Sequence, residues 1–121
     1  MQSKELAGFL NYLRQAEEQA RIAQTIEQEA EAATQDILHK LELEDVPYHT
    51  GAKLARMLES IRKERRTAKD CMLVLKPLID WMHENKAVVK GLERVLGDMR
   101  REEKFQQNRS YVQKTKVLQE I

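Results

Sequence analysis

The chain has very little with which to build a disulfide, a sheet or a catalytic centre. Cys71 is its only cysteine, so no intrachain disulfide and no Cys-x-x-Cys metal or redox pair can form. A small, buried apolar role is expected for it. With 4 Gly, 2 Pro and 5% aromatics, the sequence cannot supply the frequent tight turns and aromatic-rich strands of an all-β domain. No run approaches the ~20 consecutive apolar residues that span a bilayer, and the N-terminus lacks the basic, apolar and small-residue order of a signal peptide. A cytoplasmic location and no membrane partner are expected. A Gly-rich phosphate loop, Gly-x-Ser-x-Gly and His-Glu-x-x-His are all missing, so no catalytic residue and no cofactor are expected.

What is present is the vocabulary of long helices. Of the 121 residues 34% are charged and 41% hydrophobic, with Ala, Leu, Glu, Lys, Arg and Gln prominent. The fold class expected is all-α, in a single domain covering 1–121. From Ser3, a candidate N-cap, apolar or small residues recur at Leu6, Phe9, Leu13, Ala16, Ala20, Ala23, Ile26, Ala30, Ala33, Ile37 and Leu41, which predicts a helix over about 3–45. Pro47 forces the residue before it out of the α region and places a turn there, with Asp45 able to cap the next helix.

A second stripe, Leu54, Leu58, Ile61, Arg65, Ala68, Met72, Leu75, Ile79 and Met82, alternates strictly by four and three. It predicts a helix over 48–84 packed coiled-coil fashion, kinked or divided near Pro77. Val88, Val89, Leu92, Val95, Leu96 and Met99 predict a third, shorter helix over 86–104, weakened at Gly91 and Gly97. Beyond it lies a C-terminal arm, 105–121.

Folding the first two helices back at Pro47 gives a long antiparallel helical hairpin in one register: Leu41 with Leu54, Ile37 with Leu58, Ala30 with Arg65, Ala23 with Met72, Ala16 with Ile79 and Leu13 with Met82. Arg65, the lone polar seam residue, then lies within reach of Glu29 and Glu31. The third helix is too short to cover the Pro47 end. It is expected to cover Leu6 to Ala20 and Leu75 to Met82, leaving Ile37, Leu41, Leu54, Leu58 and Ile61 as an apolar edge for self-association. Trp81 and Met82 are expected to be core.

The net charge of +1 hides an asymmetry: residues 1–47 carry 4 Lys/Arg and 10 Asp/Glu, whereas 48–121 carry 17 and 10. Arg62, Arg65, Arg66 and Lys69 form a basic face in mid-helix 2. Such a face either neutralises Glu27, Glu29 and Glu31 on its neighbour or holds an external anion. At the end of helix 3, Arg100 and Arg101 are followed by Asn108, Arg109 and Tyr111, a combination suited to a phosphate-bearing ligand or an acidic protein surface. Packing of Tyr111 onto the bundle is the structural alternative. Asp36-x-x-His39 and Asp80-x-x-His83 have the spacing of di-iron helices, but the hairpin register sets them about 40 Å apart, so no metal is expected.

Two stretches, Thr34-Gln-Asp-Ile-Leu-His-Lys-Leu-Glu-Leu43 and Leu92-Glu-Arg-Val-Leu-Gly-Asp-Met-Arg-Arg-Glu-Glu-Lys-Phe-Gln-Gln-Asn-Arg-Ser-Tyr-Val112, resemble small helical proteins of unassigned function encoded by phages and prophages of Gram-positive bacteria. The resemblance brings no active-site residues. It implies a non-enzymatic protein of a bacterial host cell that binds stoichiometrically, inhibiting a host defence enzyme or sequestering a nucleotide signal. The partners expected are a second copy and either a host protein or a phosphate-bearing small molecule. A nucleic-acid-binding regulator using the helix 2 face, and a structural assembly protein, are the alternatives.

Overall fold

The computed structural model describes residues 1–120, and Ile121, the last residue assigned to the arm, lies outside them. Three helices account for most of the chain: α1 (Ser3–Leu43), α2 (Tyr48–Glu84) and α3 (Lys86–Asn108), followed by a short 3₁₀ turn, Val117–Glu120. No strand occurs among the described residues. Contacts divide the chain into two units, one of Asn11–Lys86 and one of Met1–Leu10 with Ala87 onward.

The first unit is the hairpin. Ala16, Ala23, Ala30 and Ile37 of α1 are buried, as are Leu54, Ala68 and Met82 of α2. Both sets repeat at seven residues or multiples of seven, the spacing that keeps one seam facing a partner helix. Alanine dominates the seam, which lets the two backbones approach closely but buries little apolar area. Leu13, only 1% exposed, is the most completely buried of its larger side chains. The levels at which the helices meet agree with the expected register to within about one turn: 19–26 share a groove with 64–71, and 31–38 share another with 58–65.

Several local expectations are revised. Helix α1 stops at Leu43 rather than 45; the Glu44 N–H still donates to the Lys40 carbonyl at 3.1 Å, but the chain must then extend towards Pro47. Pro47 itself, at φ −58° and ψ 152°, stands at the N-cap of α2, with no side-chain cap. Its carbonyl accepts from the Gly51 N–H at 2.9 Å, the first bond of the helix, and Asp45 makes no capping hydrogen bond there. Pro77 does not divide α2, which runs unbroken to Glu84. Trp81 is 40% exposed while its neighbour Met82 is buried, because adjacent helical residues point about 100° apart and only one of them can face the seam.

In the second unit, Ser3, Leu10 and Leu96 are buried. Leu10 takes the place that the stripe assigned to Phe9, which is 47% exposed. Ser3 is the first residue of α1 rather than the residue before it. Helix α3 continues four residues beyond the expected end. Polar i,i+4 pairs carry it on where apolar periodicity has ceased, among them Gln106 Nε2 donating to Glu102 Oε1 at 3.2 Å. Gly91 and Gly97 sit inside this helix, and a methyl group at either meets no side chain within 4 Å. Gly91→Ala and Gly97→Ala are therefore each expected to raise stability by about 0.5–1 kcal/mol. Denaturant titration checks this, and a loss of stability in either variant would contradict the open space found there.

Candidate functional site

Arg62, Lys63, Arg65, Arg66 and Lys69 line one groove on α2, with Ala55, Leu58 and Glu59 completing it. The cause lies in the sequence: Arg62, Arg66 and Lys69 recur at four and three, so one helical face collects them. The groove encloses about 510 Å³. Its only carboxylate among the described residues, Glu59, pairs with Lys63 at 3.0 Å along the same helix. Arg65 reaches across the seam to Glu27 at 3.9 Å, a loose ion pair. Its partner is thus Glu27 and not Glu29 or Glu31. Continuing the four-three alternation from Ala23 places Glu27, rather than Ile26, on the seam edge beside Arg65. The Arg65 Nε is buried and donates to nothing among the described residues.

The groove fits only in part the expectation that α2 neutralises the acidic residues of α1. The pair Arg65–Glu27 crosses from α2 to α1. Arg62, Arg66 and Lys69 have no ion pair among the described residues. Glu31 lines the same recess as Arg62 and Arg65, together with Thr34, Gln35, Leu38 and Leu58, without closing to either arginine.

Further along the same side of the hairpin, Glu17, Ala20, Arg21 and Gln24 of α1 face Met72, Leu73, Lys76, Ile79, Asp80 and His83 of α2 across a groove of about 720 Å³. Lys76 donates to Asp80 at 2.8 Å, and this hydrogen bond and the carboxylate charge hold its ammonium above the usual lysine range. The opposite side is apolar. Cys71 lies there, half-buried rather than fully enclosed, with Ile22, Ala23, Ile26, Thr67 and Ala68.

The residues proposed from the end of helix 3 are dispersed. Arg101 pairs with Asp98 one turn back, and Arg100 is exposed. Asn108 belongs to the helix, its amide donating to the Lys104 carbonyl at 3.1 Å. Arg109 lines a recess with Met1, Gln2, Glu103, Gln106 and Gln107, and none of the other four joins it. Tyr111 is 79% exposed, so it is not packed into the bundle. The expected apolar edge is also redistributed. Ile37 and Leu54 are spent in the seam, Leu58 and Ile61 are half-buried, and Leu41 remains 40% exposed.

Among the described residues no three of His, Cys, Asp and Glu gather as a metal site, and no helix is long and apolar enough to cross a membrane. Compared with protein-family models, with curated proteins and with solved structures, the chain matches none. The basic groove of α2 brings Arg62, Arg65, Arg66 and Lys69 together, whereas the group at the end of α3 is spread over separate surroundings. The groove's sequence signal is the run Arg62–Lys69; the run alone does not show that the facing carboxylates leave most of it unpaired.

Proposed function

We propose that the protein is a non-catalytic binding protein that acts by stoichiometric association, and that the basic groove of α2 receives an anionic partner. The observation that carries this reading is the gathering of Arg62, Arg66 and Lys69 in one groove without carboxylate partners among the described residues. Unpaired cations on a common face raise the local potential, and guanidinium forks bind carboxylates or phosphates in defined geometry. The resemblance of residues 34–43 and 92–112 to phage and prophage proteins supports this reading by analogy alone, since small phage proteins often act by stoichiometric binding that blocks a host defence enzyme or sequesters a nucleotide signal. An acidic protein surface suits the groove better than a long nucleic-acid strand. Ala55 and Leu58 give it an apolar floor, no aromatic side chain lines it for base stacking, and Glu17, Glu27 and Glu31 of α1 lie along the same side.

The test is capture from bacterial lysate, with and without nuclease, followed by mass spectrometry. A protein partner retained after nuclease treatment, and lost on combining Arg62→Ala with Arg66→Ala, is the expected result. Each lost charged hydrogen bond costs about 1.5–3 kcal/mol, so each substitution is expected to weaken binding roughly 10- to 150-fold. Arg109→Ala serves as the control. Loss of the partner with Arg109→Ala, while the groove variant retains it, would return the site to the end of α3.

A further inference from the structure

The side of the hairpin that bears the basic groove also bears its own complement. On α1, Glu17, Gln24, Glu31 and Leu38 stand seven residues apart and share one edge of that side. On α2, Lys76, Lys69, Arg62 and Ala55 stand seven apart along the other edge. Read in the antiparallel sense of the hairpin, the two rows match level for level: Glu17 with Lys76, Gln24 with Lys69, Glu31 with Arg62 and Leu38 with Ala55. Within one chain these rows flank the seam on opposite edges, and none of the four levels closes as an ion pair among the described residues.

We infer that the anionic partner of the groove is α1 of a second copy of this chain. The inference rests on the reading that the groove takes an anionic partner, and it names that partner. Two hairpins related by a two-fold axis parallel to their helices bring α1 of each across α2 of the other, with like ends together. Glu17 then meets Lys76, which keeps its own Asp80 as well, and Glu31 meets Arg62, while Gln24 faces Lys69 and the uncharged Leu38 faces Ala55. The opposite arrangement, with the axis across the helices, would set the acidic α1 on α1 and the basic α2 on α2. Like charges facing each other select against it.

Three further observations agree with this occupant. Between the rows lie Ala20, Met72 and Ile79 at one end and Thr34, Leu58 and Leu41 at the other, all half-buried except Leu41, which is 40% exposed. In a four-helix bundle these positions become the core. Midway between them lie Glu27 and Arg65, whose own ion pair is loose at 3.9 Å, and the second copy's Glu27 gives the exposed end of the guanidinium a further carboxylate. A polar layer inside an apolar seam is a known device for fixing register and oligomer number. Finally, the face from Leu38 and Ala55 to Glu17 and Ile79 is about 35 Å long and two helices wide. That offers roughly 700 Å² per copy, close to the ~800 Å² per partner of a standard stable interface.

Light scattering on the intact chain tests the inference. The expected mass is twice the 14.2 kDa of one chain. Arg62→Glu alone and Glu31→Arg alone are each expected to weaken self-association at least tenfold, and the two together to restore it. Glu17→Lys with Lys76→Glu provides a second exchange at a separate level. All four side chains are exposed, and circular dichroism reports whether each variant keeps its helices. A single-chain mass for the unaltered protein at tens of micromolar overturns the inference, as does an exchange pair that stays monomeric while folded. Should the chain prove monomeric yet still capture a protein through Arg62 and Arg66, the groove's function stands and only its partner is wrong. Should self-association and capture both survive Arg62→Glu, both readings fail.

Discussion

Leu13→Ala is expected to cost about 2–5 kcal/mol, a large share of the stability of a domain this size. Leu13 is 1% exposed, one of the two most completely buried large side chains among the described residues, so its truncation leaves a cavity in the core rather than a gap at the surface. Thermal and denaturant unfolding followed by circular dichroism measure the loss. The adjacent Tyr12→Ala is the comparison: Tyr12 is 55% exposed, and its truncation is expected to change stability by no more than about 0.5 kcal/mol. Equal effects at the two positions would mean that the seam is not where the structure puts it.

The second large effect is expected at Ala23, in the middle of the hairpin and 5% exposed. Ala23→Asp places a carboxylate in the buried seam between α1 and α2, beside Glu64, Thr67, Ala68 and Cys71, with no cation in that groove to pair with it. An uncompensated buried charge costs about 3–5 kcal/mol, enough to open a hairpin with so thin a core. Gln28→Asp introduces the same charge on an exposed position of the same helix and is expected to be nearly neutral. If Ala23→Asp folds with unchanged stability, the close alanine contact is disproved.

The hairpin is legible in the sequence because its signal is redundant: two stripes with one spacing, a proline between them, and a single register that satisfies every level. The range of α2 can be read to the residue, since Pro47 fixes one end and the polar Glu84–Lys86 break the other. Helix α3 reads short because periodicity reports burial and not helicity. Residues 105–108 are helical and exposed, and an exposed helical turn leaves no apolar pattern. Arg65 stands out from sequence alone, but its partner is displaced by one turn from the expected pair. The slip in the α1 stripe between Ala20 and Ile26 hides Glu27 as a seam-edge residue.

For the candidate sites the outcome divides along the same line. The four residues of the α2 face are held together by helix geometry, so their spacing alone places them in one groove. The group at the end of α3 straddles the boundary between helix and irregular chain, where spacing along the sequence no longer fixes spacing in three dimensions. Asn108 falls on the helical side of that boundary, and Arg109 and Tyr111 fall beyond it.

The division of the chain into two units has an order in time as well as in space. Residues 11–86 contain everything the hairpin needs, whereas Met1–Leu10 group with Ala87 onward. During synthesis the first ten residues therefore emerge earliest and find their partners latest. At about 5–20 residues per second the ribosome needs several seconds between them, far longer than helices take to form and dock. The nascent chain is expected to pass through a stage in which the hairpin is closed while Leu6 and Leu10 are still uncovered. That interval, rather than the finished fold, is when the amino-terminal turns of α1 are most open to a chaperone or a protease.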